Sequence, residues 1–407
     1  MRIFKVLAVG VAAVFMTLAC GSGGASSTPS SSSPASVSAD SKAADLRVGL
    51  DNLLGEHMFL AAKATDAALR GGVGDPEFKA YGDLLGTNGT DIGALIGAAY
   101  GTDAQNQFNA LWSAHNGFFV DYTVGVASND AAKKSQAVAN LKTKFIAPFA
   151  AFLAGPTGLP ESALTDVLTT HVVDTAAVVD DQGAKNYTKA YADLRAAYAQ
   201  VYKIGDALAG AISTKLPAKF PGNATNSAVQ LRVSLNELFQ EHMYLASMAT
   251  SAALRYGATD PEFVAASTAL NTNGTDIGAA VGSLYGTDAQ NQFNAMWSAH
   301  NGFFVDYTIG VATKDSAKKG AAADNLKAKF ITPFAAFLAG ATGIPQDALS
   351  GLLTTHVATT AAIVDDQGAK DFAKASTDDR TAAHDMQSIS DPLADAFVKK
   401  FPAKFTS

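Results

Sequence analysis

The chain has 407 residues, 48% hydrophobic and 16% charged, which is enough apolar content for packed cores and too much for wholesale disorder. Lys+Arg is 30 against Asp+Glu 37, a formal charge of −7; without Arg2 and Lys5, which fall in an expected export signal, 28 − 37 gives −9. An acidic surface without basic runs argues against a nucleic-acid partner, and one cysteine excludes both a disulfide framework and a thiolate zinc cluster.

Residues 1–19 read as a lipoprotein-type signal peptide. Arg2 and Lys5 form a basic start, and the apolar run from Val6 to Leu18 is too short to span a bilayer comfortably. Cys20 follows at once and is the expected lipidation site. Residues 20–43 are nearly all Gly, Ser, Ala, Thr and Pro, the composition of a flexible tether. The chain is therefore expected on the outer, extracytoplasmic face of the cell membrane, held there by lipid.

Beyond the tether one unit is written twice. Leu46-Arg47-Val48 recurs as Leu231-Arg232-Val233, an offset of 231 − 46 = 185. Tyr100 to Ala127 matches Tyr285 to Ala312 except at Leu111/Met296 and Val124/Ile309. The units are residues 44–222 and 229–407, with 223–228 as linker, each large enough for its own core at about 175 residues. The period is far longer than that of solenoid repeats.

Each unit reads as all-α, an up-and-down bundle of about six helices. In the first unit a helix over 44–70 stops at Gly71-Gly72. Asp75-Pro76-Glu77 starts the second with a capping acid and a first-turn proline. Thr102 with Gln105 fits a capping box for the third. Asn129-Asp130 starts a fourth, in which Pro148 predicts a kink. Pro160-Glu161 starts a fifth, ending near Gly183, and a sixth ends before Pro217. Gly89, Gly93, Gly97 and Gly101 on the second helix, and Ala114, Gly117, Asp121 and Gly125 on the third, predict close helix crossings. Each interior glycine costs about 1 kcal/mol of helix propensity against alanine.

Histidine interrupts three apolar stripes. His57 follows Leu46, Leu50 and Leu53; His115 lies between Phe108, Leu111 and Phe118; His171 lies between Leu168 and Thr175. Asn88 and Asp91 interrupt the second helix, and Glu56 borders the first stripe. The second unit repeats the set as His242, His300, His356, Asn273, Asp276 and Glu241. Three imidazoles and a carboxylate from four helices suit a first-row transition metal, with Cu, Zn or Fe as the ions expected. The candidate ligands are thus His57, His115, His171, Asp91 and Glu56, and their counterparts His242, His300, His356, Asp276 and Glu241. The alternative is a buried polar network in which Asn88, Asp91, Glu56 and Arg195 satisfy the histidines, in a structural or envelope-interaction lipoprotein. A small-molecule pocket near Trp112 and Phe119 is a third possibility. His384 lies outside the duplicated pattern and reads as a surface residue.

No catalytic constellation is legible. Ser113 and His115 point to opposite sides of a helix, there is no Gly-x-Ser-x-Gly elbow, and no phosphate-binding glycine loop follows a strand. A binding module is expected rather than an enzyme.

The segments Leu53-Leu54-Gly55-Glu56-His57 and Trp112-Ser113-x-His115-x-Gly117-Phe118-Phe119-Val120-Asp121-Tyr122 resemble a family of secreted helical domains from Gram-positive bacteria. Some of those proteins are named for a copper-amine-oxidase N-terminal-like domain elsewhere in the chain. The resemblance covers both units and implies an all-α fold and an extracytoplasmic location. It carries no amine oxidase activity to this chain.

Overall fold

In the computed structural model of the chain, residues 38–405 are described; Cys20, the signal segment and most of the tether lie outside them. The fold is all-α, and no strand occurs among the described residues. The first half runs α1 (Lys42–Gly71), α2 (Pro76–Tyr100), α3 (Thr102–Ala127), α4 (Ala131–Asn140), a π-helical turn (Leu141–Ile146), α5 (Ala147–Thr157), α6 (Glu161–Gly183) and α7 (Tyr187–Lys215). The second runs α8 (Ser227–Tyr256), α9 (Pro261–Tyr285), α10 (Thr287–Ala312), α11 (Ser316–Asn325), a π-helical turn (Leu326–Ile331), α12 (Thr332–Thr342), α13 (Gln346–Ala369), α14 (Phe372–Asp385) and α15 (Gln387–Lys400).

Local signals explain several of the helix boundaries. The Ser41 hydroxyl accepts from the Ala44 amide and sets the start of α1. Asp75 accepts from the amides of Glu77 and Phe78, with Pro76 at the first position, where its missing N–H costs nothing. Two expectations are corrected and a third is refined. Helix α1 begins at Lys42, inside the segment read as tether, and Ala39 before it is buried against Ala228 and Val398. Thr102 does not cap α3: the cap is Gly101, at φ 96°, which closes α2 through its amide to Gly97 O and leaves Thr102 as the first helical residue. The disturbance expected at Pro148 takes the form of a π turn over the preceding residues. In the second half the sixth helix is also interrupted, at Met386, where α7 is continuous.

The glycine stripe on α2 does what its spacing predicts. A Cβ on Gly89 would lie 2.5 Å from Trp112 Cδ1, and one on Gly93 would lie 1.9 Å from Asn109 Oδ1. Helices α2 and α3 thus cross where only glycine fits. The stripe on α3 holds in part: Gly125 packs against the start of α4, whereas Gly117 is exposed with open space where its Cβ would be. The segment Ala131–Thr157 is long and apolar enough to cross a membrane by length and composition, but Phe145, Ile146, Phe149, Ala150 and Leu153 turn its apolar side into the bundle.

One hydrophobic core runs through both halves. Phe59 of α1 stacks on Tyr244 of α8 with ring centroids 5.1 Å apart. Helix α7 packs on α1 and also on α9, and α14 packs on α2 and α8. Each half therefore lends its sixth helix to the seam with the other. At that seam the buried Lys63 ammonium donates to Ser247 Oγ at 2.6 Å and pairs with Asp379, whose carboxylate also accepts from the Tyr81 hydroxyl at 2.6 Å. The equivalent positions, 185 residues away, are the buried apolar residues Met248, Leu194 and Ala266.

Candidate metal centre

The three histidines of each half meet. His57 (α1), His115 (α3) and His171 (α6) each offer a ring nitrogen, and these nitrogens lie within 4.8 Å of one another; His242 (α8), His300 (α10) and His356 (α13) do the same. All six rings are buried. Ring centroids are 5.3, 6.1 and 6.4 Å apart in the first half and 5.3, 5.9 and 6.2 Å in the second. Three nitrogens bound to one ion at 2.0–2.1 Å would be about 3.4 Å apart in tetrahedral geometry, so the rings need to close by little more than 1 Å.

Local structure aims the rings. A carbonyl can only accept, so the 2.5 Å contact between His115 Nδ1 and Trp112 O fixes the hydrogen on Nδ1 and leaves the Nε2 lone pair free. His300 makes the same bond to Trp297 O. A ligating histidine that donates its other nitrogen to a backbone carbonyl is the usual support of a metal site. The π turn adds a second support: it places Phe145 flat against His115, ring centroids 4.3 Å apart at 15°, and Phe330 does the same for His300. Trp112 closes the third side, 4.7 Å from His57.

Five of the six rings keep a buried nitrogen without a partner. His57 Nδ1, His115 Nε2 and His171 Nδ1 are buried without a hydrogen bond, as are His242 Nδ1 and both ring nitrogens of His356. Burial pushes every one of these imidazoles below its ordinary range, His115 and His300 to about 3 and His171 and His356 to about 4. His57 and His242 are lowered by burial and further by their two companion rings. The rings are thus neutral at pH 7, the protonation state a metal requires.

The four acids expected as ligands are engaged elsewhere. Glu56, on α1 beside His57, pairs with Arg380 of α14 at 2.9 Å and accepts from Asn88 Nδ2 at 2.8 Å and from the Tyr244 hydroxyl. Asp91 pairs with the same Arg380. Reciprocally, Arg195 of α7 pairs with Glu241 and Asp276 at 2.8 Å. Both arginines cross to the other half. The buried polar network expected of these residues therefore exists, but it ties the halves together, and among the six clustered rings it reaches only His57, through Asn88. His384, read as a surface residue, is half-exposed with Nε2 3.4 Å from Glu56 Oε1. Burial raises the Glu56 carboxyl, but His384, Arg380 and Asn88 together hold it below its usual range.

In the second half a cleft of about 370 Å³ between α9 and α10 runs from the surface to His242, His300 and His356. Sequence reasoning placed a pocket near Trp112 and Phe119; the cleft includes Phe304, the counterpart of Phe119, and its depth was not legible from spacing alone. No known protein family, no curated protein and no solved structure matches the chain.

Proposed function

We propose that the protein is a lipid-anchored, extracytoplasmic binding module that holds one first-row transition-metal ion, Cu, Zn or Fe, in each half. The ligands are His57, His115 and His171 in one centre and His242, His300 and His356 in the other. The observation that carries this reading is the convergence of three buried, neutral imidazoles, twice in one chain, with a buried ring nitrogen left without a partner on five of the six rings. A buried polar atom without a hydrogen bond costs about 1–3 kcal/mol, and a shared ion removes that cost for all three rings at once. Uncharged nitrogen ligands suit these borderline metals better than Ca or Mg, which take oxygen.

Elemental analysis tests the reading. The chain lacking its first 36 residues, which forms one compact unit, is purified without an affinity tag. Two equivalents of metal are expected, one in His115→Ala, and none when His300→Ala is added. A metal-free protein that gains no thermal stability from added Cu, Zn or Fe would sink it. The anchor has its own test: Cys20→Ala is expected to shift the protein out of the membrane fraction, and a correctly processed variant that stays in the membrane would refute the assignment.

A further inference from the structure

The proposed metal centres have an electrostatic consequence. Three neutral imidazoles leave a divalent ion with its full charge, and the acids that would balance it are held by Arg380 and Arg195. Such an ion, buried and three-coordinate from protein, keeps an open position and favours a negatively charged fourth ligand over a neutral one. In the second half the cleft reaches that position. Apart from the three histidines it has no ionisable side chain along it, and its walls carry Phe263, Leu270 and Phe304. At about 370 Å³ it lies within the size range of small-molecule sites. At its rim Asn301 Nδ2 donates to Asn271 Oδ1 at 3.4 Å, linking α10 to α9 and leaving the Asn271 amide N–H groups as donors. In the first half Gly82 and Gly86 stand where Ser267 and Asn271 line this cleft, so the amide link is absent there.

Resting on the metal reading, we propose that the second centre takes a small organic anion, a carboxylate with an apolar body. Its charged head occupies the open metal position and its body lies against Phe263, Leu270 and Phe304. The step is ligand binding and involves no bond-breaking in the ligand.

The test uses the metal-free protein loaded with Co²⁺ and titrated with benzoate, and separately with neutral benzamide, followed by cobalt absorption. Two bound cobalt ions are expected. Benzoate should perturb the second centre with a Kd at least tenfold lower than that of the first, and benzamide should bind at least tenfold more weakly than benzoate. Gly302 lines the cleft with open space where its Cβ would be. Gly302→Phe should weaken benzoate at least tenfold with cobalt stoichiometry still two, while Gly117→Phe, the matched change in the first half, should leave the second centre unaltered. If Gly302→Phe loses its helical spectrum, Ser267→Phe blocks the same cleft. Two bound cobalts whose spectra ignore benzoate, equal affinity for benzamide, or indifference to both cleft-filling variants would overturn the proposal and leave the metal reading intact. Failure to bind cobalt would overturn both.

Discussion

Arg195 of the first half grips Glu241 of the second through two parallel bonds, Nε to Oε1 at 2.8 Å and Nη2 to Oε2 at 2.9 Å. Arg380 repeats the grip in the opposite direction on Glu56, whose side chain has no solvent exposure. These forks lie next in sequence to His242 and His57. They fasten the seam at the same helical turn that presents a candidate ligand.

Removal of one fork should therefore be costly. Arg380→Ala leaves the Glu56 carboxylate buried beside Asp91 without its cation, a change of about 3–5 kcal/mol for a buried pair. Urea denaturation is expected to show a loss in this range, partly restored by adding Glu56→Gln. A loss below about 0.5 kcal/mol would show that the fork is energetically idle.

The shared core changes the behaviour expected of a single unit. Residues 38–222 alone would expose Phe59, Tyr198 and Tyr202, which here meet Tyr244, Glu237 O and Gln240. The fragment is expected to sediment as a dimer, each copy lending its sixth helix to the other as the two halves do here. A stable, cooperative monomer would show that the seam is dispensable.

The histidines set a pH dependence in the metal-free protein. Unfolded, each titrates near 6.5; folded, burial holds His115 and His300 at about 3 and His171 and His356 at about 4, with His57 and His242 also well below 6.5. Between these limits the unfolded chain binds more protons, so stability falls as pH falls below 6.5, by up to about 1.4 kcal/mol per unit for each ring. Six raised carboxyls, Asp51, Asp174, Glu237, Glu262, Asp366 and Asp395, act in the opposite sense; Glu237 and Glu262, which burial holds at about 7, titrate in the same range and offset part of the loss. The urea midpoint is expected to drop from pH 7.5 to 5.5; a constant or rising midpoint would contradict the neutral, buried rings.

Two glycines on adjacent helices should respond with opposite signs. Gly89→Ala drives a methyl to 2.5 Å from Trp112 and is expected to cost about 1–3 kcal/mol through overpacking. Gly117→Ala enters open space on a helix and should gain about 0.5–1 kcal/mol from helix propensity. Thermal unfolding of both variants checks the pair, and equal effects would refute the close crossing.

The all-α fold and the inward histidines were legible because both rest on 3.6-residue periodicity: a histidine in a leucine stripe must face the core. Glu56 shows the limit. It borders His57 in sequence, but one helical step turns it about 100° away, toward whichever helix lies there, and that helix is α14, more than three hundred residues later. No spacing rule reaches so far. Lys63 left a signal that periodicity alone does not weigh: it stands in the duplicated pattern where the other copy has Met248, and a cation in a buried apolar position implies a partner. Pro148 announced a disturbed helix, but where the ladder would adjust depended on the packing of Phe145 against His115.

Two identical chains around a two-fold axis must repeat every side chain on both sides. Fusion into one polypeptide lifts that constraint. Lys63, Tyr81 and Asp379 make one side of the seam ionic, while Met248, Ala266 and Leu194 at the equivalent positions are apolar. A homodimer with the ionic set would bury two such clusters, and one without it would bury none. The same licence separates Ser267 and Asn271 from Gly82 and Gly86, so two imidazole clusters of one design are free to acquire different occupants: a division of labour that no symmetric ancestor could encode in a single sequence.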